Sequence, residues 1–293
     1  MTVTAVILLL LKTSIVLSVF AIGLKATFAD ATFLLRRPAQ LGRAFLSMNV
    51  LMPLVALAVG APFDLHPAVK IALVVIAVSP TPPVFPKQAL KAGGTEAYAI
   101  GLLVAAAVVS VVIIPLSMEM IHRITGISLA MRSGSVAVLV LSTILAPLVA
   151  GIVVRRVWSA VADRAAGPVA VLGSGLLIAS ALPIMIGLSR TVLSFVTDGT
   201  ILGFGGFALA GLFTGHVLGG PEPADRPVLA LATASRHPAV AMAIAHTNFP
   251  DQRLAGAAVF LYVVLAAILS GLYLSWVRRA SARSTTVKAW KPR

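Results

Sequence analysis

The chain has 293 residues, of which 59% are apolar and 11% charged, with a mean hydropathy of +1.03. A soluble domain carries about 25% charged residues, so this composition excludes an ordinary soluble protein, a coiled coil and a disordered chain. Cysteine is absent, which removes disulfide frameworks, thiolate metal sites and cysteine nucleophiles, and the net charge of +14 fits Lys and Arg gathered on cytoplasmic loops better than a nucleic-acid surface.

Charge clusters and Pro/Gly turns divide the chain into nine apolar segments, near 3–24, 40–61, 67–92, 95–119, 133–154, 168–189, 199–219, 227–249 and 254–277. Each is close to the ~20 residues that cross a bilayer as a helix. They predict an all-α integral membrane protein of about nine transmembrane helices in one membrane domain. The first segment lacks a basic leader, carries Lys12 in its apolar run and is followed by a poor cleavage site, so it is read as a retained span. Thr27 with Asp30 reads as a helix start on the inside face. If the first loop is inside, the inside loops hold Lys25, Arg36, Arg37, Arg43, Lys87, Lys91, Arg155, Arg156, Arg164, Arg226 and the basic residues of the tail 279–293 with Arg278. The outside loops hold only Lys70, Arg123, Arg132, Arg190 and Arg253. This bias predicts an outside N-terminus and a cytoplasmic C-terminus. The preference for Arg over Lys and the abundance of Ala point to a bacterial inner membrane.

The third segment contains Ser79-Pro80-Thr81-Pro82-Pro83-Val84-Phe85-Pro86-Lys87, and four prolines in seven positions cannot sit in a continuous helix. The eighth contains Thr233-Ala234-Ser235-Arg236-His237-Pro238 near its middle. Loosened backbone in a membrane survives only where protein or a watery cavity satisfies it. The two interruptions lie five spans apart, the pattern of an inverted repeat of five helices whose first half lacks its opening helix. Paired broken helices in equivalent positions point to the central site of a transporter.

Arg236 lies near the middle of its span, where an arginine costs at least ~2.5–3.5 kcal/mol. None of the nine carboxylates falls inside a span: Asp225 and six others are in loops, and Glu96 and Glu119 sit at span ends. Two readings follow. Either an anionic substrate supplies the counter-charge, or the open carbonyls of the broken helix hold the arginine permanently. Pro83 and Pro238 are placed to open new half-helices, whose N-termini would add two partial positive charges. The candidate substrate-binding residues are therefore Arg236, His237, Ser235 and Thr233 in the second break, and Ser79, Thr81 and Pro83 in the first. Lys12 of the first span joins them if it faces the cavity rather than snorkelling to the interface. His237 is a candidate proton carrier, although a histidine in a helix break is more often a hydrogen-bonded structural residue. His216 and His246 lie toward span ends and are read as ordinary.

Gly211, Gly215 and Gly219 make a small-residue face for close helix packing. Gly203, Gly205 and Gly206 follow no strand and are not a dinucleotide fingerprint. No HExxH, GxSxG or Walker loop occurs. Without cysteine, a buried carboxylate pair or a metal-ligand cluster, an enzyme is not expected. The reading is a secondary transporter of organic anions. The alternative is a non-transporting membrane regulator or sensor on the same fold.

Gly23-Leu24-Lys25-Ala26-Thr27, Ala29-Asp30 and Leu34-Leu35-Arg36-Arg37-Pro38 resemble the first cytoplasmic loop of the bile acid:sodium symporter family. Met52-Pro53-Leu54, Ser79-Pro80 ahead of Lys91-Ala92-Gly93-Gly94, and Pro115 fit its next three helices. Ala232 to His237 and Asn248-Phe249-Pro250 are similar to a bacterial branch of its second broken helix. The resemblance implies a core domain with two crossing, unwound helices, here near 40–122 and 199–278. It also implies a panel domain near 1–24 and 133–190, with the substrate between the two. The implied substrates are organic anions such as bile acids, other steroid conjugates, keto acids and similar carboxylates. The sequence departs from the family where sodium binds. Thr81 and Pro82 stand at the Gly-Gly positions, Phe85 and Pro86 at a Ser-Asn pair, and Leu103, Ala106 and Ala107 at polar positions of the next helix. Ala232 stands near an acidic position, and Arg236-His237 at a Gln-Asn pair. A hard cation needs several oxygen ligands, so neither sodium nor a cofactor is expected, and Arg236 is expected to supply the fixed positive charge instead.

Overall fold

Prolines and glycines set where the helices start, bend and approach one another. A computed structural model of the chain describes residues 3–60, 65–125, 138, 140–194, 199–252 and 254–289. The start of the fifth expected span, the loop residues Asp64, Arg132, Asp198 and Arg253, and the last four residues of the basic tail lie outside the described residues. The described residues are helical or in turns, with no strand among them. The helices are α1 (Val3–Gly23), α2 (Phe28–Ala31), α3 (Pro38–Gly60), α4 (Pro67–Val78), α5 (Phe85–Lys91) and α6 (Glu96–Thr125). Then come α7 (Ala146–Val157), α8 (Ser159–Ser194), α9 (Thr200–Leu218), α10 (Asp225–Ala234), α11 (Pro238–Asn248) and α12 (Ala255–Ala289). Five of them, α3, α6, α8, α9 and α12, contain stretches long and apolar enough to cross a membrane, α10 and α11 together make a sixth, Asp225–Asn248, and Leu9–Gly23 and Pro67–Val78 are shorter apolar helices. Val112, Val171, Leu202 and Phe213 are 66–76% exposed. Such outward apolar faces would be an aggregation hazard in water and are normal against lipid.

Pro38, Pro67 and Pro238 each open a helix, where a missing N–H costs nothing. The Thr27–Asp30 helix start is a reciprocal capping box: Asp30 N–H donates to Thr27 Oγ1 and Thr27 N–H to Asp30 Oδ2. The stretch expected as a tail after residue 278 continues α12 as helix to Ala289. Asp225, expected in a loop, is instead the first residue of α10 and 4% exposed. Its burial is possible because Gln40 Nε2 and Thr95 Oγ1 donate to its two carboxylate oxygens at 2.7 and 3.1 Å.

The glycine face on α9 packs directly on α10. A Cβ on Gly211, Gly215 or Gly219 would meet the Cα of Ala234, Ala230 or Arg226 at 3.0, 2.5 and 2.4 Å. Four residues forward on one helix match four residues back on the other, so the two run antiparallel with their backbones in contact. A second close approach joins α1 to α7, where a Cβ on Gly23 would lie 2.4 Å from the Leu148 carbonyl. Gly173 of α8 sits over Ser14 and Ser18 of α1 in the same way.

Two sets of packed helices result. In one, α1, α7 and α8 pack on each other; in the other, α4 packs on α3, α11 and α12, and α10 packs on α5, α9 and α12. α8 meets α12 where the sets face each other. The two interrupted helices meet at their breaks: α4 touches α11, α5 touches α10, and the His237 N–H donates to the Pro80 carbonyl at 2.8 Å.

Candidate functional site

A cavity of about 190 Å³ lies between these sets. Ser14 and Ser18 of α1 and Leu177 of α8 form one wall. Pro82, Pro83 and Gln88 from the first interruption, Ser235, Arg236 and His237 from the second, and Tyr262 of α12 form the other.

Arg236 is 4% exposed. Its Nε donates to the Thr233 carbonyl at 3.1 Å, its Nη1 to the Ser79 carbonyl at 2.9 Å and its Nη2 to the Met48 carbonyl at 2.9 Å. The three oxygens come from three separate segments; proline explains why two are free, and a helix end explains the third. In a continuing α-helix the Ser79 carbonyl would accept from residue 83, which is Pro83 and has no N–H. Met48 lies in a π-helical stretch, Leu46–Leu51, where the donor would be residue 53, which is Pro53. Thr233 lies in the last turn of α10, whose carbonyls have no intrahelical donor. Tyr262 Oη donates to the next of these carbonyls, that of Ala234. Among the described residues the ion pairs are Arg123–Glu119 and Arg155–Asp163, so no carboxylate pairs with Arg236. The guanidinium is held in place by dipoles while its charge stays uncompensated.

Of the residues singled out by sequence, Arg236, His237, Ser235 and Pro83 line the cavity. Thr233 and Ser79 stand behind it: the Thr233 hydroxyl bonds Ser47 Oγ at 2.8 Å, and the Ser79 hydroxyl donates to the Ile76 carbonyl at 2.9 Å. Thr81 is fully buried, with a hydroxyl that has no partner among the described residues, and is not part of the lining. Lys12 is exposed on α1, one residue beyond the lining residue Leu11.

Two expectations are corrected. Pro83 does not open a half-helix. The Pro82–Pro83 pair keeps Pro82 out of the helical region, residues 82–85 close a turn through the Phe85 N–H to the Pro82 carbonyl, and α5 begins at Phe85. Only Pro238 opens its half-helix. The other correction concerns His237, expected as a hydrogen-bonded structural residue. Its backbone is bonded but its ring is not: it is 2% exposed and neither ring nitrogen has a partner among the described residues.

Met48, Tyr262, Ser14, Ser18 and Gln88 were missed. Pro53, five residues beyond Met48, was the available signal for the first. Phe85, Pro86 and Ala232, at the expected sodium positions, are all buried and bring no side-chain oxygen.

The model of the sodium bile acid symporter family matches residues 13–193. The chain belongs to that family. Sodium bile acid symporter proteins are membrane transporters rather than enzymes, and this chain is a multi-pass membrane protein of that kind. The matched residues take in the second half of α1, the first interruption and nearly all of α8; the second interruption, with Arg236 and His237, lies beyond them. No curated protein matches the chain.

Proposed function

We propose that this protein is a secondary transporter of small organic anions, working by alternating access, with Arg236 as its fixed positive charge and without sodium coupling. The observation that carries the reading is the Arg236 guanidinium, buried at the cavity wall on three backbone carbonyls with no carboxylate paired to it among the described residues. A buried charge of this kind favours a ligand that supplies the opposite one. The carbonyls freed by Pro53, Pro83 and the end of α10 are the oxygens a free cation would use, and the guanidinium already occupies them. The anion is bile-acid-like or a simpler carboxylate. α3 to α6 and α9 to α12 form the core, and α1, α7 and α8 the panel. The cavity lies on the seam between them, so rocking one against the other would open it to alternate sides. The protein sits in the inner membrane with an outside N-terminus and a cytoplasmic C-terminus.

The test is uptake of a panel of labelled organic anions into liposomes carrying the purified protein. Saturable uptake of at least one anion, displaced by the same unlabelled anion, is expected. Absence of saturable flux for every anion would overturn the reading in favour of a non-transporting regulator.

A further inference from the structure

The cavity's unmet hydrogen-bonding capacity specifies more than a negative charge. A guanidinium carries five N–H donors; three of those on Arg236 are engaged by carbonyls, leaving two. They suit the two oxygens of one carboxylate. His237, next in the chain, has two ring nitrogens without partners and lines the same cavity. No carboxylate pairs with Arg236 among the described residues, and a second buried cation beside it would be repelled, so the ring is neutral. A neutral imidazole offers one N–H and one bare nitrogen. The N–H adds to the carboxylate donors, whereas the bare nitrogen needs a donor that no described group supplies. Gln88 Oε1, also buried and without a partner among the described residues, is a further acceptor in the lining. An unmet buried acceptor is costly, and a ligand that satisfies it gains accordingly. The volume sets the bulk. A cavity of about 190 Å³ falls below the 300–1,000 Å³ typical of drug-sized ligands.

Resting on the transport reading, we propose that His237 is the specificity-determining residue of the cavity, pairing with a hydroxyl carried near the carboxylate of a compact hydroxy acid. Within the proposed anion class the volume favours compact acids over bulky steroid conjugates, and acids without a donor leave the His237 acceptor unmet.

The experiment compares acids that differ only in the hydroxyl. Purified full-length protein is titrated with 2-hydroxyisovalerate, isovalerate and taurocholate, read by thermal shift and by isothermal calorimetry. The wild type is expected to bind the hydroxy acid at least about tenfold more tightly than isovalerate, the worth of one net hydrogen bond, and to bind taurocholate weakest. His237→Phe, which keeps the ring bulk without nitrogens, should erase the hydroxyl preference; His237→Gln, with a donor and an acceptor, should restore most of it. Equal binding of the two small acids by the wild type, no binding of either, or a preference that survives in His237→Phe would overturn the assignment. A hydroxyl preference in binding without flux in liposomes would defeat the transport reading and leave His237 in its role. Flux without a hydroxyl preference would do the reverse.

Discussion

Arg236→Ala is expected to lower anion uptake at least about 100-fold. Two effects combine. Without the fixed charge an anion enters the membrane interior alone, at a cost of at least ~2.5–3.5 kcal/mol, and ~1.36 kcal/mol is a factor of ten. The substitution also leaves the carbonyls of Met48, Ser79 and Thr233 without their donor. Each bond to a charged group contributes about 1.5–3 kcal/mol, partly offset because the buried charge itself is gone, so the melting temperature should fall as well. Arg236→Gln keeps some donors but no charge and should fold better than Arg236→Ala while transporting as poorly. Arg236→Lys keeps the charge and three donors, which the three carbonyls can absorb, but leaves none spare for a carboxylate; its uptake should lie between wild type and Arg236→Gln. Initial rates per reconstituted protein, beside melting curves, separate these outcomes. Undiminished uptake in folded Arg236→Gln would make the arginine a staple between helices and nothing more.

Gly215→Leu is expected to abolish the folded protein, and Gly215→Ala to lower its melting temperature by several degrees. A Cβ at this position would lie 2.5 Å from both the Ala230 Cα and the Leu229 carbonyl oxygen. Both are backbone, so no side chain can swing aside, and overpacking of this kind costs about 1–3 kcal/mol even for small additions. The damage would reach the cavity, because α10 carries Thr233 and Ala234 to Arg236 and Tyr262. Gly206 of the same helix is the control. It is exposed and nothing lies within 4 Å of its Cβ position, so Gly206→Ala should be neutral or slightly stabilising. Thermal melts and gel filtration in detergent read both; equal effects at the two glycines would contradict the packing.

The interruptions were legible because proline acts locally: Pro80, Pro82 and Pro83 break a helix whatever surrounds them. The unpaired arginine was legible for the same reason, since a span of apolar residues offers it no partner. Its true partners were not. Ser79 and Met48 lie 157 and 188 residues away in sequence, and only the packing of three helices brings their carbonyls to one point. Pro53 marked the Met48 carbonyl as free, but nothing local said what would use it. The half-helix start slipped from Pro83 to Phe85 because adjacent prolines restrict each other. The burial of Asp225 is not legible in the local sequence, because Gln40 and Thr95, which make it possible, are distant in sequence. Nine spans were expected where six long stretches and two shorter helices are described: the first interruption leaves a short half-helix, Pro67–Val78, and the start of the fifth segment lies outside the described residues.

The ion dependence of wild-type transport tests the fixed charge most directly. Initial anion uptake is measured in liposomes with an inward sodium gradient and again with choline in its place, at matched membrane potential. Equal rates are predicted, because Arg236 is proposed to supply the fixed positive charge in place of a coupling cation. Uptake driven by the sodium gradient would contradict the account and place an oxygen cage elsewhere in the protein.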